Sequence, residues 1–305
     1  MSANAATITE SPSTDGQTQS VSTNRVEPAG ANGCATIVIT PPGGWISLNL
    51  GELWRYRDLL TLLVWRDISS RYRQSLIGYG WAVLKPVLSM LIFTFIFGRV
   101  ANFPSDGAPY AIFSFAALLP WMYFSGTLSG VTNSIVSSQH LLTKVYFPRL
   151  VLPLANATVG LAELAVQAVV LALLMVWYQF LPGWQILFVP AFVVVSVLVS
   201  LAFGLWLTAL NVKYRDVGQI VPFLLQAWMW LCPIVYSSSM IPPKWRLLYG
   251  FNPMVGVIEG FRWSILGTLT PDWTMMAVSF SVVAAIFLSG LYYFRKTETT
   301  FADII

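Results

Sequence analysis

The sequence predicts an all-α integral membrane fold of six transmembrane helices, with an amphipathic helix before them and a re-entrant hairpin between the fifth and the sixth. Three observations lead there. Of 305 residues, 56% are hydrophobic and only 10% charged, with a mean hydropathy of +0.67, whereas an ordinary soluble domain carries about 25% charged residues. Six apolar windows, at 77–98, 110–136, 151–178, 186–210, 217–237 and 273–294, have the roughly 20 residues that a helix needs to cross a hydrocarbon core of about 30 Å. The polar flanks between them differ in charge. With the N terminus inside, the cytoplasmic flanks hold nine cations (Arg66, Arg71, Arg73, Lys144, Arg149, Lys213, Arg215, Arg295, Lys296) against four outside (Arg99, Lys244, Arg246, Arg262), which places both termini in the cytoplasm.

Residues 1–33 are rich in Ser, Thr, Asn, Gln, Gly and Ala. They lack an apolar block and a basic start, so they predict a disordered cytoplasmic tail and not a signal peptide. A short extended piece, Ala35–Thr40, ends at Pro41-Pro42-Gly43-Gly44, and residues 1–44 form one polar unit. Cys34 and Cys232 are too few and too far apart for a disulfide framework or a CxxC site.

Between Glu52 and Arg73, Leu53, Tyr56, Leu60, Val64, Ile68 and Tyr72 recur every three or four residues, and most charges fall elsewhere. The period is that of an amphipathic helix within residues 45–75. Its arginines, with Trp54 and Trp65, suit the headgroup plane or a helix packed on a soluble partner, and the two are compatible. Tyr249 to Gly267 is apolar but short, and Pro253, Glu259, Arg262 and its glycines interrupt it. It predicts a re-entrant or interfacial hairpin and not a crossing.

Residues with chemical potential are scattered. The single His140 cannot build a His-based triad or a multi-His metal site, and no GxxxxGK[ST] loop is present for ATP. No catalytic residue, metal site or bound cofactor is therefore predicted. Glu163, one turn before Gln167, falls near the middle of the third window. A buried acid there marks function, or is protonated or bonded to a neighbouring helix. Lys85, next to Pro86, either snorkels to the inner headgroups or contacts phosphate. Aromatics make up 14% of the chain. Their faces stack on sugar rings as well as on lipid and protein. The second window ends in Ser125-Gly-Thr-Leu-Ser-Gly-Val-Thr-Asn-Ser134, which permits close helix packing or lines a polar cavity.

Several segments resemble the permease subunits of ABC exporters of lipid-linked polysaccharides, the family of O-antigen, capsule and teichoic acid exporters. They are Glu52–Leu60, Arg66-Asp67, Arg71-Tyr-Arg-Gln-Ser-Leu-Ile-Gly78 with Trp81 and Pro86, Leu119–Ser125, Lys144-Val-Tyr-Phe-Pro-Arg149, Asn211-Val-Lys-Tyr-Arg-Asp216, and Phe251-Asn-Pro-Met254 with Arg262. They occur in family order, and the O-antigen branch is the most similar.

The resemblance implies a six-span type-2 ABC permease domain over 76–296, a cytoplasmic tail at 297–305, and a bacterial inner-membrane location. It implies a homodimer working with two ATPase subunits, which hold ATP and Mg, and a polyprenyl-linked polysaccharide as substrate within membrane lipid, with no nucleic acid. Residues 52–73 would be an interface helix. The loop with His140, Thr143, Lys144, Tyr146, Phe147, Pro148 and Arg149 would couple to the ATPase, Tyr146 and Phe147 as exposed anchors. Asn252, Pro253, Glu259 and Arg262 would belong to periplasmic gate helices. Trp121, Tyr123 and Phe124, with Trp228, Trp230 and Tyr236, would line the channel, and Arg71, Arg73 and Lys85 would meet the diphosphate of the donor. The alternatives are a permease of the same architecture for a lipid or drug, and a membrane-embedded glycan-processing enzyme. The enzyme would need paired acids at the water boundary, which the sequence lacks.

Overall fold

The computed structural model describes residues 50–72, 78, 80–145, 147–267 and 270–298. The tail of residues 1–44 with its extended piece, Arg73, Tyr146 and residues 299–305 lie outside the described residues. Among those described, every regular element is helical. Helices α1 (Leu50–Arg55) and α2 (Arg57–Tyr72) come first, then α3 (Gly80–Phe93), which widens into a π-helix over Thr94–Val100. Next are α4 (Tyr110–Ser137), the single turn α5 (Gln139–Leu142), α6 (Val151–Trp177), and a 3-10 turn over Trp184–Phe188 that leads into α7 (Val189–Lys213). The chain finishes with α8 (Val217–Trp230), α9 (Pro243–Tyr249), α10 (Pro253–Leu266) and α11 (Trp273–Glu298).

Among the described residues, five helical stretches are long and apolar enough to span a bilayer: Gly80–Val100, Tyr110–Ser137, Val151–Trp177, Trp184–Lys213 and Trp273–Glu298. The protein is a multi-pass membrane protein. The window at 217–237 differs from its expectation, because only Val217–Trp230 is helical, about 21 Å at 1.5 Å per residue. Pro233 accounts for the break. It has no N–H to donate and disfavours the α conformation at Cys232 before it. This segment still joins opposite ends of α4. Near one end, Gly218 N–H donates to Asn211, whose amide donates to Asn133; at the other, the Tyr110 hydroxyl donates to the Val235 carbonyl. Those two residues of α4 are about 34 Å apart along the helix.

α4 is the central helix and packs on α3, α6, α7, α8 and α10. Close approach needs small residues where backbones meet. A methyl group at Gly160 of α6 would overlap the Thr127 hydroxyl, and one at Gly204 of α7 would overlap Val131. Two apolar clusters result. The larger is built on α4, α7 and α10 around Phe113, Phe115, Phe124 and Phe261. The smaller gathers Leu63, Ile135, Phe147, Leu150, Leu152, Leu205 and Phe294 at the other end.

α2 does not run straight across that end. Leu63 shares the smaller cluster with Leu152 and Ala155, while Arg71, about 12 Å further along α2, reaches Glu163 of α6. The interface helix therefore advances along α6, because its apolar face has a partner there as well as lipid.

Candidate functional site

At the α2 end, the Arg71 guanidinium and the Glu163 carboxylate form an ion pair at 2.5 Å. Both are accessible, with side chains 41% and 28% exposed. Of the alternatives for Glu163, bonding to a neighbouring helix is the one the structure shows: α2 covers this face of α6 and brings a cation to the carboxylate. One turn earlier on α2, Arg66 bonds Asp67 at 2.8 Å. Beside these pairs lies a cavity of about 550 Å³ between α2, α6 and the turn after α4, lined by Arg66, Ser70, Arg71, Ser138, His140 and Asn156 among others. Lys85 is not among its lining residues; its ammonium lies 6.0 Å from the centre of the Trp81 ring.

The loop after α4 contains α5, and its His140, Thr143 and Lys144 are exposed. Phe147 is not an exposed anchor. It is 4% exposed and packs into the smaller cluster, because α2, α6 and α11 converge there and an aromatic ring fills the gap. Pro148 and Arg149 are half-buried. The backbone N–H of Arg149 donates to the Glu298 carboxylate at 3.2 Å, and its guanidinium donates to the Glu298 carbonyl. Arg295 holds the other carboxylate oxygen at 3.0 Å. The start of α6 is thereby tied to the end of α11. Asn211, first residue of the Asn-Val-Lys-Tyr-Arg-Asp segment, acts as a junction: it donates to the Thr132 carbonyl at 3.0 Å and accepts from Gly218 N–H at 2.8 Å in the first turn of α8.

At the opposite end, the irregular segment after α8 has its carbonyls met by side chains. Asn252 donates to Leu231 O at 3.2 Å, Arg262 to Ile234 O at 2.8 Å and to Tyr236 O at 3.1 Å, and Tyr110 to Val235 O at 2.6 Å. Non-helical backbone in a membrane protein needs such partners, since lipid offers none. Asn252 also caps α10 by accepting from Met254 N–H at 3.1 Å, with Pro253 at the first helical position, and it accepts from the Trp228 indole at 3.0 Å. The buried Arg262 guanidinium lies 3.7 Å from the centre of the Phe113 ring and 3.6 Å from Glu259. Burial pushes the Glu259 carboxyl above its ordinary range, opposed by the charge of Arg262. The loop before α4 joins in, because Ser237 donates to Asp106 at 2.5 Å.

Residues 58–266 match the family model of the ABC-2 type transporter. The chain belongs to that family. This ABC-2 permease is 33% identical over 258 residues to the O-antigen export system permease protein RfbA of Myxococcus xanthus, covering 83% of this chain and 98% of that protein. It is 28% identical to the RfbA permease of Klebsiella pneumoniae, with 84% and 97% covered. Against the polysialic acid transport protein KpsM of Escherichia coli the identity is 24%, with 76% and 91% covered.

The permease distributes its aromatics in a way that corrects part of the channel expectation. Trp121, Tyr123 and Phe124 are buried within the single chain. Phe124 packs edge-on against Trp228 at 5.3 Å, and the Tyr123 hydroxyl donates to the Ala157 carbonyl. They face the interior because α4 is surrounded by helices. Trp230 is 51% exposed. Trp228 and Tyr236 line a cavity of about 730 Å³ together with Phe203, Trp245, Tyr249 and Asn252. Their polar edges are already paired, Trp228 with Asn252 and Tyr236 with Tyr249 at 2.9 Å. Sequence reasoning missed Tyr110, Asp106 and Ser237, whose partners lie more than 120 residues away.

Proposed function

We propose that this permease is the channel-forming subunit of an ATP-driven exporter that moves a polyprenyl-diphosphate-linked, O-antigen-like polysaccharide out of the cytoplasm across the bacterial inner membrane. The observation that carries the proposal is the correspondence, over 98% of its length, with a protein named as an O-antigen export permease. In this reading two copies form the channel and two ATPase subunits supply ATP and Mg chemistry on the cytoplasmic face. The chain itself is not an enzyme.

Six crossings per subunit follow if α8 and the side-chain-bonded segment after it make the fifth. The link from Asn211 and Asn133 at one end of α4 to Tyr110 at the other supports this. Both termini are then cytoplasmic, with α9 and α10 as the re-entrant gate at the periplasmic side. Lys144, Arg149, Arg295 and Lys296 fall together at the cytoplasmic end, in keeping with the positive-inside rule. The exposed His140, Thr143 and Lys144 are the contacts offered to the ATPase, with Tyr146 beside them in sequence. Arg71, with Arg73 and Lys85, meets the diphosphate of the donor, since guanidinium groups bind phosphate in two-point fashion. Trp228, Trp230 and Tyr236 remain as channel aromatics.

Deletion of the gene, followed by location of the glycan, tests this function. Finished lipid-linked polymer accumulating on the cytoplasmic side is the expected result. Absence of polymer would assign the protein to biosynthesis and overturn the proposal.

A further inference from the structure

We infer that Glu163 is an internal competitor for the substrate's phosphate: it holds Arg71 in the empty transporter and yields it when a phosphorylated lipid enters the cavity between α2 and α6. The inference rests on the proposed contact between Arg71 and the donor diphosphate. A carboxylate and a phosphate oxygen make the same charge-assisted bond to a guanidinium, so two anions near one Arg exclude each other in proportion to their strength. Arg71 stands where that choice arises. It pairs with Glu163 at 2.5 Å on one side and borders the 550 Å³ cavity on the other.

The cavity has the donors that a phosphate needs. Arg66, Ser70, Ser138 and His140 line it with Arg71, and it lies beside the end of α4 and the first turns of α6, with Glu163 about 18 Å along α6 from Val151. As it stands, each arginine carries its own carboxylate, Arg66 with Asp67 and Arg71 with Glu163. An incoming diphosphate brings more than one negative charge, so it outcompetes a single carboxylate, while a monoanionic headgroup does so poorly. Glu163 thereby raises the threshold for occupancy and favours diphosphate over ordinary anionic lipid. The pair also links α2 to α6, so its exchange would loosen the interface helix as substrate arrives.

The test uses the full-length permease in lipid nanodiscs. Binding of a fluorescent polyprenyl diphosphate is compared with the matching polyprenol and with a fluorescent phosphatidylglycerol. Glu163→Gln is expected to tighten diphosphate binding about three- to fivefold, the order of one partly exposed ion pair. It should narrow the preference over phosphatidylglycerol. Glu163→Asp, which keeps the charge and shortens its reach, should give a smaller gain and guards against a Gln variant that fails to fold. In an Arg71→Gln background, Glu163→Gln should produce a much smaller gain, because the guanidinium they compete for is gone. Unchanged affinity in Glu163→Gln and Glu163→Asp, or a gain that persists undiminished without Arg71, overturns the inference. If wild type binds the diphosphate no better than polyprenol, the proposed contact at Arg71 itself fails.

Discussion

Arg262 of α10 and the carbonyl of Ile234, 28 residues earlier, are joined by a 2.8 Å hydrogen bond buried beneath Phe113. With the second bond to Tyr236 O at 3.1 Å, one guanidinium holds the irregular segment that follows the break in the fifth apolar window. Its charge is matched by Glu259 at 3.6 Å.

Replacing Arg262 by Leu removes those bonds and leaves a buried carboxyl without its cation, a change that costs about 3–5 kcal/mol in buried pairs. Cys232 reports on it, because this free thiol is fully buried beside the segment. In a Cys34→Ser background, Arg262→Leu should make Cys232 react readily with a membrane-impermeant maleimide that wild type resists. An unreactive Cys232 would mean that other contacts hold the loop.

Tyr110→Phe removes a single donor to Val235 O and keeps the ring. A loss of about 1–3 kcal/mol is expected for a carbonyl left unpaired, seen as a lower midpoint of thermal unfolding in detergent. The effect should be less than additive with Arg262→Leu, since both support the same segment.

Asn211→Asp separates two roles of one side chain. The carboxylate still accepts from Gly218 N–H, but the donors to Thr132 O and Asn133 are gone. Asn211→Asp should lose a few kcal/mol through a buried charge set against the Thr132 carbonyl and the Asn133 amide oxygen, whereas Asn211→Ser, small and able to accept, should lose less. Thermal midpoints of the two variants decide it.

Gly204→Leu forces a side chain into Val131 across the α4–α7 contact. Overpacking of this kind costs about 1–3 kcal/mol or more, so the variant should show reduced yield and a lower unfolding midpoint. Leu198→Ala, on an exposed face of the same helix, should show neither.

How far the chain could be read from its letters depended on what lipid does to a pattern. Hydropathy located five long spans to within a few residues, because length and apolarity are imposed by the bilayer itself. It did not tell lipid-facing from core-facing side chains. The first half of α4 is apolar almost all round, so Trp121, Tyr123 and Phe124 looked available for a channel while they fill the interior of one chain. The same ambiguity concealed Phe147, whose basic neighbours suggested an exposed loop. Long-range pairs were equally hidden: Glu163 and Arg71 are 92 residues apart, and only the course of α2 along α6 brings them together. The fifth window contains two prolines, of which Pro222 lies inside α8 while Pro233 follows the point where the helix stops. The capping role of Asn252, followed by Pro253, was legible in principle, since both are typical of helix starts.

The central claim, ATP-driven export of a lipid-linked polysaccharide, is tested most directly by transport. The permease and its ATPase partner are reconstituted into proteoliposomes with the ATPase outward and lipid-linked polymer in the outer leaflet, and protection of the polymer from an added glycanase is followed. Polymer that becomes protected only when ATP and Mg are supplied is the predicted result. Polymer that stays fully digestible with ATP present, or becomes protected equally without it, would contradict the claim.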